Sequence, residues 1–145
     1  MKTEKDFYIS DIREIERDLY RNGNSEIPKF TNKDGNIRPQ DSKLSKDSRT
    51  GIVYVLPSHA GVSASEVFDG GKNRWKIKEK SIIPSGLAIA VDKVTLGHVH
   101  IVATRRMKQS EYISLLEDMF EKAEKIMNTS AEMATNKSKL SGKRA

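Results

Sequence analysis

A chain of 145 residues that is 36% hydrophobic, with one Trp, four Phe and four Tyr, has room for one domain built around a mainly aliphatic core. It contains no cysteine, which excludes a disulfide framework, thiolate catalysis and any Cys-ligated metal. The formal net charge of +6 suits nucleic acid, an anionic ligand such as a dinucleotide, or an acidic protein partner, and half of that excess lies in the last 18 residues, where Lys137, Lys139, Lys143 and Arg144 face only Glu132.

The opening "MKTEKDFYIS" lacks the apolar stretch of a secretory signal peptide. No run approaches the roughly 20 apolar residues a spanning helix needs. The chain is therefore expected to be soluble and cytoplasmic, or to leave the producing cell without a cleavable signal. In "SDIREIERDLYR", Ile12, Ile15 and Leu19 fall at helical spacing behind Ser10 and Asp11, which predicts a short helix and then a strand ending near Arg21. A turn-forming run, Asn22-Gly23-Asn24-Ser25, follows. Residues 32–50 are dominated by turn formers and charges and read as a long loop, in which Pro39 keeps Arg38 out of a helix.

"GIVYVLP" (51–57) reads as a mostly buried strand ended by Pro57. "SHAGVSASEVFDGGKNR" is rich in small and hydroxyl residues, "WKIKEK" alternates like a surface strand, and "SIIPSG" is an edge or a connection because of Pro84. "LAIAVDKV" (87–94) and "HVHIVATR" (98–105) flank the turn "TLG" and predict an antiparallel hairpin. In "SEYISLLEDMFEKAEKIM", Tyr112, Leu116, Met119, Phe120, Ala123 and Met127 form one stripe, with Ser110 as the N-cap of a long helix. Beyond it the chain turns polar. The predicted organisation is a single α+β domain over 1–127, on an antiparallel or mixed sheet, with a basic flexible tail at 128–145.

Several chemistries are poorly served. His98 and His100 share a strand face, but His59 sits in a separate loop and no third ligand is evident, so no metal site is expected. "FDGGKNR" lacks the spacing of a phosphate-binding loop. "RWKIKEK", with Trp75, and "TRRMK" are basic enough to touch nucleic acid, yet lysine also commonly protects strand edges. What remains is an early-strand arginine, Arg21, the hydroxyls Ser63 and Ser65, and a polar residue on a late strand, His98 or one of its neighbours. An arginine fork binds phosphate or carboxylate, and serines beside glycine offer hydrogen bonds to a closely approaching ligand.

Taken in order, "LYR" (19–21), "RPQD" (38–41), "GVSASEVFD" (61–69), "IIPSGLAI" (82–89), "HVHIVATRRM" (98–107) and the amphipathic helix resemble the small bacterial type VI secretion toxin effectors with an ADP-ribosyltransferase-like fold, and their toxin–antitoxin relatives. The resemblance rests on the ordered set over residues 18–127 rather than on any one motif. It implies a split sheet that binds NAD as a substrate in a central cleft. Arg21 would hold the dinucleotide, with Tyr20, Arg38 and Phe68 contributing from the matched segments, and Ser63 or Ser65 would support the nicotinamide ribose. Many ADP-ribosyltransferases carry a late-strand glutamate, but "HVHIVATRR" has no acid; His98 matches the family's late-strand histidine, and Glu111 fits the first turn of the following helix. The implied function is a growth-arresting cytotoxin that transfers ADP-ribose to a cellular target or hydrolyses NAD. It would be held in check by a cognate immunity protein or antitoxin of acidic character. The alternatives are a basic nucleic-acid-binding module and a non-catalytic interaction protein on the same fold.

Overall fold

The structure, a computed structural model, describes residues 4–141. A short 3-10 helix, Glu4–Asp6, leads into β1 (Phe7–Ser10), followed by β2 (Leu19–Asn22), β3 (Leu44–Lys46), β4 (Val53–Val55), β5 (Val62–Ser65) and β6 (Arg74–Ile77). Next come β7 (Leu87–Asp92), β8 (His98–Ala103), the two-residue β9 (Met107–Lys108), helix α1 (Gln109–Met119), β10 (Glu124–Lys125) and helix α2 (Thr129–Ser141). A seven-stranded sheet runs β1-β7-β8-β5-β2-β6-β10, and a three-stranded sheet runs β3-β4-β9. Every strand pairing in both is antiparallel. The chain is thus α+β around mostly antiparallel sheet.

The predicted hairpin forms the centre. Leu87 pairs with Ala103 and Val91 with Val99, and Gly97 takes φ +83° in the turn, a left-handed conformation that suits glycine. Asp92 closes the hairpin by accepting the Val94 and Thr95 N–H groups on Oδ1 at 2.8 and 2.9 Å. Strand alternation then sorts the two faces. On one, Leu19, Val62, Ala64, Ile77, Leu87, Ile89, Val99 and Ile101 join Tyr112, Leu116 and Met119 of α1 in the main core. The other carries a small cluster of Ala88, Ala90 and Val102.

The large sheet is nearly cut in two. β2 meets β5 through the single pair Tyr20–Ser65, whereas it pairs with β6 over all four residues, from Leu19–Ile77 to Asn22–Arg74. Beyond Tyr20 the two strands splay apart. Tyr112 braces the neighbouring end of β5, where its hydroxyl donates to the Ile101 carbonyl at 2.5 Å and accepts the Val62 N–H at 3.1 Å.

Three expectations are corrected. Residues 10–19 form no helix: Ile15 and Leu19 are buried as their spacing suggests, but Ile15 exchanges backbone hydrogen bonds with Ser81 and Lys80, and Ile83 N–H donates to the Arg13 carbonyl. The Arg13 guanidinium also donates to the carbonyls of Leu87, Ile83 and Pro84, so long-range hydrogen bonds outcompete local helix propensity. The long helix begins after Lys108, not Ser110, and stops at Met119 because Glu124 and Lys125 pair with β6; Met127 is exposed. Finally, 129–141 of the expected tail is helix α2, docked on the sheet; residues 142–145 lie outside the described residues. Its anchors are polar: Glu132 receives the Tyr20 hydroxyl and Lys76 Nζ, Asn136 bonds Phe68 N–H and the Glu66 carbonyl, and Lys139 pairs with Asp18. The loop at 32–50 is largely irregular, as expected, apart from β3.

Candidate functional site

Arg21 sits where β2 and β5 part. With no ladder partner on β5, the strand's missing cross-bonds are replaced by its side chain: Nη1 donates to the Ser63 carbonyl at 2.9 Å and to Ser63 Oγ at 3.2 Å, while Nε donates to the Lys29 carbonyl at 3.0 Å. The guanidinium is thereby fixed at the mouth of the split, with Nη2 making no hydrogen bond among the described residues. Burial pulls its pKa below the ordinary value; nearby Asp41 opposes that shift and Arg38 adds to it. An arginine remains cationic under such conditions, so the split carries one oriented positive charge. Arg38 itself is exposed and bound to Asp41 at 2.8 Å, three residues on.

The sheet face opposite Val62, Ala64 and Arg21 carries a polar strip. In register, Ser63 pairs with His100 and Ser65 with His98, and all four residues are half-buried. Ser65 Oγ accepts the Val67 N–H at 2.9 Å, so its hydroxyl hydrogen can point elsewhere. His98 Nδ1 lies 3.1 Å from Asp92 Oδ2. The rings continue across the face: His98 meets His100 edge-on at 4.9 Å, His100 meets Phe7 at 5.1 Å, and Phe7 stacks on His59 at 4.9 Å. His59, expected in a separate loop, therefore belongs to this row, although among the described residues no three His, Asp or Glu side chains form a metal-binding group. The structure thus places Ser63, Ser65 and His98 on one face of β5 and β8, while Arg21, two residues from Leu19, lies on the opposite face and meets Ser63 only across the gap.

Two of the candidate NAD contacts lie elsewhere. Tyr20 and Phe68 are 4% and 3% exposed, their rings 5.2 Å apart beneath α2. The Tyr20 hydroxyl donates to Glu132 at 2.5 Å, and burial followed by that carboxylate pushes its pKa up. Both rings anchor the helix instead of facing a ligand; sequence reading missed this because it left 128–145 as a tail. Glu111, on α1, is bound to Arg105 at the surface, where that hydrogen bond lowers its pKa.

The basic segments are largely neutralised. Arg74 pairs with Asp69, Lys76 with Glu132 and Lys78 with Glu124, while Arg106 lies over the Tyr54 ring. Trp75 Nε1 donates to the Asn24 carbonyl, which ties its indole to the turn after β2. Asp92 is a candidate residue that the sequence alone did not single out. Its signal was an acid closing a strand six residues before a histidine, a spacing that carries meaning only once the hairpin register is known.

No protein-family model, curated protein or solved structure matches the chain.

Proposed function

We propose that the protein binds NAD at the β2–β5 split and breaks its nicotinamide N-glycosidic bond, passing ADP-ribose to a cellular target or to water and so acting as a growth-arresting toxin. The observation that supports this reading most is Arg21, held by Ser63 and Lys29 in the gap of a split antiparallel sheet. An oriented guanidinium with Nη2 unclaimed suits a pyrophosphate or ribose oxygen. Ser65 and His98 lie two residues along β5 from Ser63, about 7 Å at strand rise and on the face opposite Arg21, so a dinucleotide gripped by Arg21 would have to pass through the gap to reach them. Arg38 stands near Arg21, with its own charge met by Asp41. Nucleic-acid binding draws less support, because the cations of β6 are already paired with acids. An acidic immunity protein or antitoxin covering Arg21 and Arg38 would complete the system.

Incubating the purified protein with NAD and following nicotinamide release tests the reading. Release that falls by at least roughly 100-fold in Arg21→Ala, together with loss of growth inhibition on expression in bacteria, is expected. If neither nicotinamide nor labelled ADP-ribose adducts appear, with or without cell extract, the proposal fails.

A further inference from the structure

His98 is held differently from the other histidines. Its Nδ1 faces Asp92 Oδ2 at 3.1 Å, and the Asp92 side chain is fully buried while that of His98 is 31% exposed. Asp92 is itself immobilised, since Oδ1 accepts two backbone N–H groups from Val94 and Thr95. An ionised carboxylate can only accept, so Nδ1 must carry the proton and the neutral ring presents its lone pair at Nε2. Nε2 lies on the side of the ring away from Asp92, and Ser65, the strand partner of His98, lies on the same sheet face.

We infer that Asp92 is a positioning residue that fixes His98 as the general base of the reaction. The inference rests on the NAD reading above and adds the residue that makes the late-strand histidine competent. In the step, the oxygen or nitrogen of the acceptor, water in hydrolysis, forms a bond to the ribose carbon that bears nicotinamide. The carbon–nitrogen bond breaks with its electron pair going to the ring nitrogen, so nicotinamide leaves neutral. The acceptor's proton passes to His98 Nε2, and Asp92 faces the resulting imidazolium before the proton is lost to solvent. No other reagent is required. The dyad supplies an acid near the reaction from the preceding strand, where β8 has none.

Among the described residues, titratable groups from several elements lie around His98. Asp92 comes from the end of β7 and His100 from β8 itself, while Glu66, just after β5, and Glu16, from the segment before β2, line the adjoining pocket. Of these, Asp92 alone contacts Nδ1.

Asp92→Asn tests the proposal, because the amide keeps an acceptor for Val94 and Thr95 but turns an NH2 group toward Nδ1. That forces the tautomer with the proton on Nε2 and removes the base. Expected is a fall in kcat of roughly 100-fold for nicotinamide release with little change in KM. The 15N shifts of His98 should report protonation at Nδ1 in the wild type and at Nε2 in the variant. Wild-type kcat in a folded Asp92→Asn protein would leave Asp92 as a turn cap and overturn the inference while sparing the NAD reading. If that variant does not fold, the wild-type spectrum decides: neutral His98 protonated at Nε2 refutes the arrangement. A wild-type protein that releases no nicotinamide ends both readings.

Discussion

Removing the Asn136 side chain should loosen the C-terminal helix from the sheet. Asn136 is 5% exposed; its Oδ1 accepts the buried Phe68 N–H at 2.9 Å and its Nδ2 donates to the Glu66 carbonyl at 2.9 Å. In Asn136→Ala both backbone groups lose that partner. A buried N–H left unsatisfied costs about 1–3 kcal/mol, and the loss of the second, part-buried bond adds about 0.5–1.5 kcal/mol, giving roughly 2–4 kcal/mol in all. For a chain of this size that corresponds to a fall in Tm of roughly 5–15 °C. Urea unfolding followed by far-UV circular dichroism would measure the free energy, and amide exchange would locate it at Phe68. A change below about 0.5 kcal/mol, with the Phe68 amide still protected, would refute the idea that this side chain fastens α2.

Gly61→Ala should destabilise by roughly 2–3 kcal/mol or more, because the added Cβ would lie 2.1 Å from the backbone oxygen of Ile101, and thermal unfolding would show it. Tyr20→Phe should cost about 1–2 kcal/mol near neutrality through loss of its bond to Glu132. Since burial raises the Tyr20 pKa above the unfolded value near 10, its share of the stability is present below about pH 10 and declines as pH rises beyond it; the variant should therefore show a shallower alkaline fall, with Tyr112, also raised by burial, retaining part of the slope in a pH series of urea titrations.

How far the fold could be read from the residues depended on whether each element was held by local or distant contacts. The 87–103 hairpin was legible because branched residues alternate on both sides of a short turn, so pairing, register and burial all follow from neighbours in sequence. The 10–19 segment was not: its apolar spacing is helical, yet the carbonyls of 83, 84 and 87 hold Arg13 and keep the chain irregular. Helix α2 was missed for a related reason. Only 13 residues long, with polar anchors in place of an apolar stripe, it has a pattern that reads as a solvated tail until Glu132, Asn136 and Lys139 find Tyr20, Phe68 and Asp18.

The candidate site divides in the same way. Residue types and order alone singled out Arg21, Ser63, Ser65 and His98, since a fixed cation, hydroxyls beside glycine and a titratable ring are recognisable one at a time. Those residue types also determined that no cysteine chemistry is open to this protein. Tertiary structure decided which of them meet. The splay of β2 from β5 aims Arg21 at Ser63, 42 residues away in sequence. Burial under α2 covers Tyr20 and Phe68, and the hairpin register delivers Asp92 to His98. The physical reason is that an ionisable side chain acquires its role from the charges and hydrogen bonds around it, and here most of those come from strands distant along the chain.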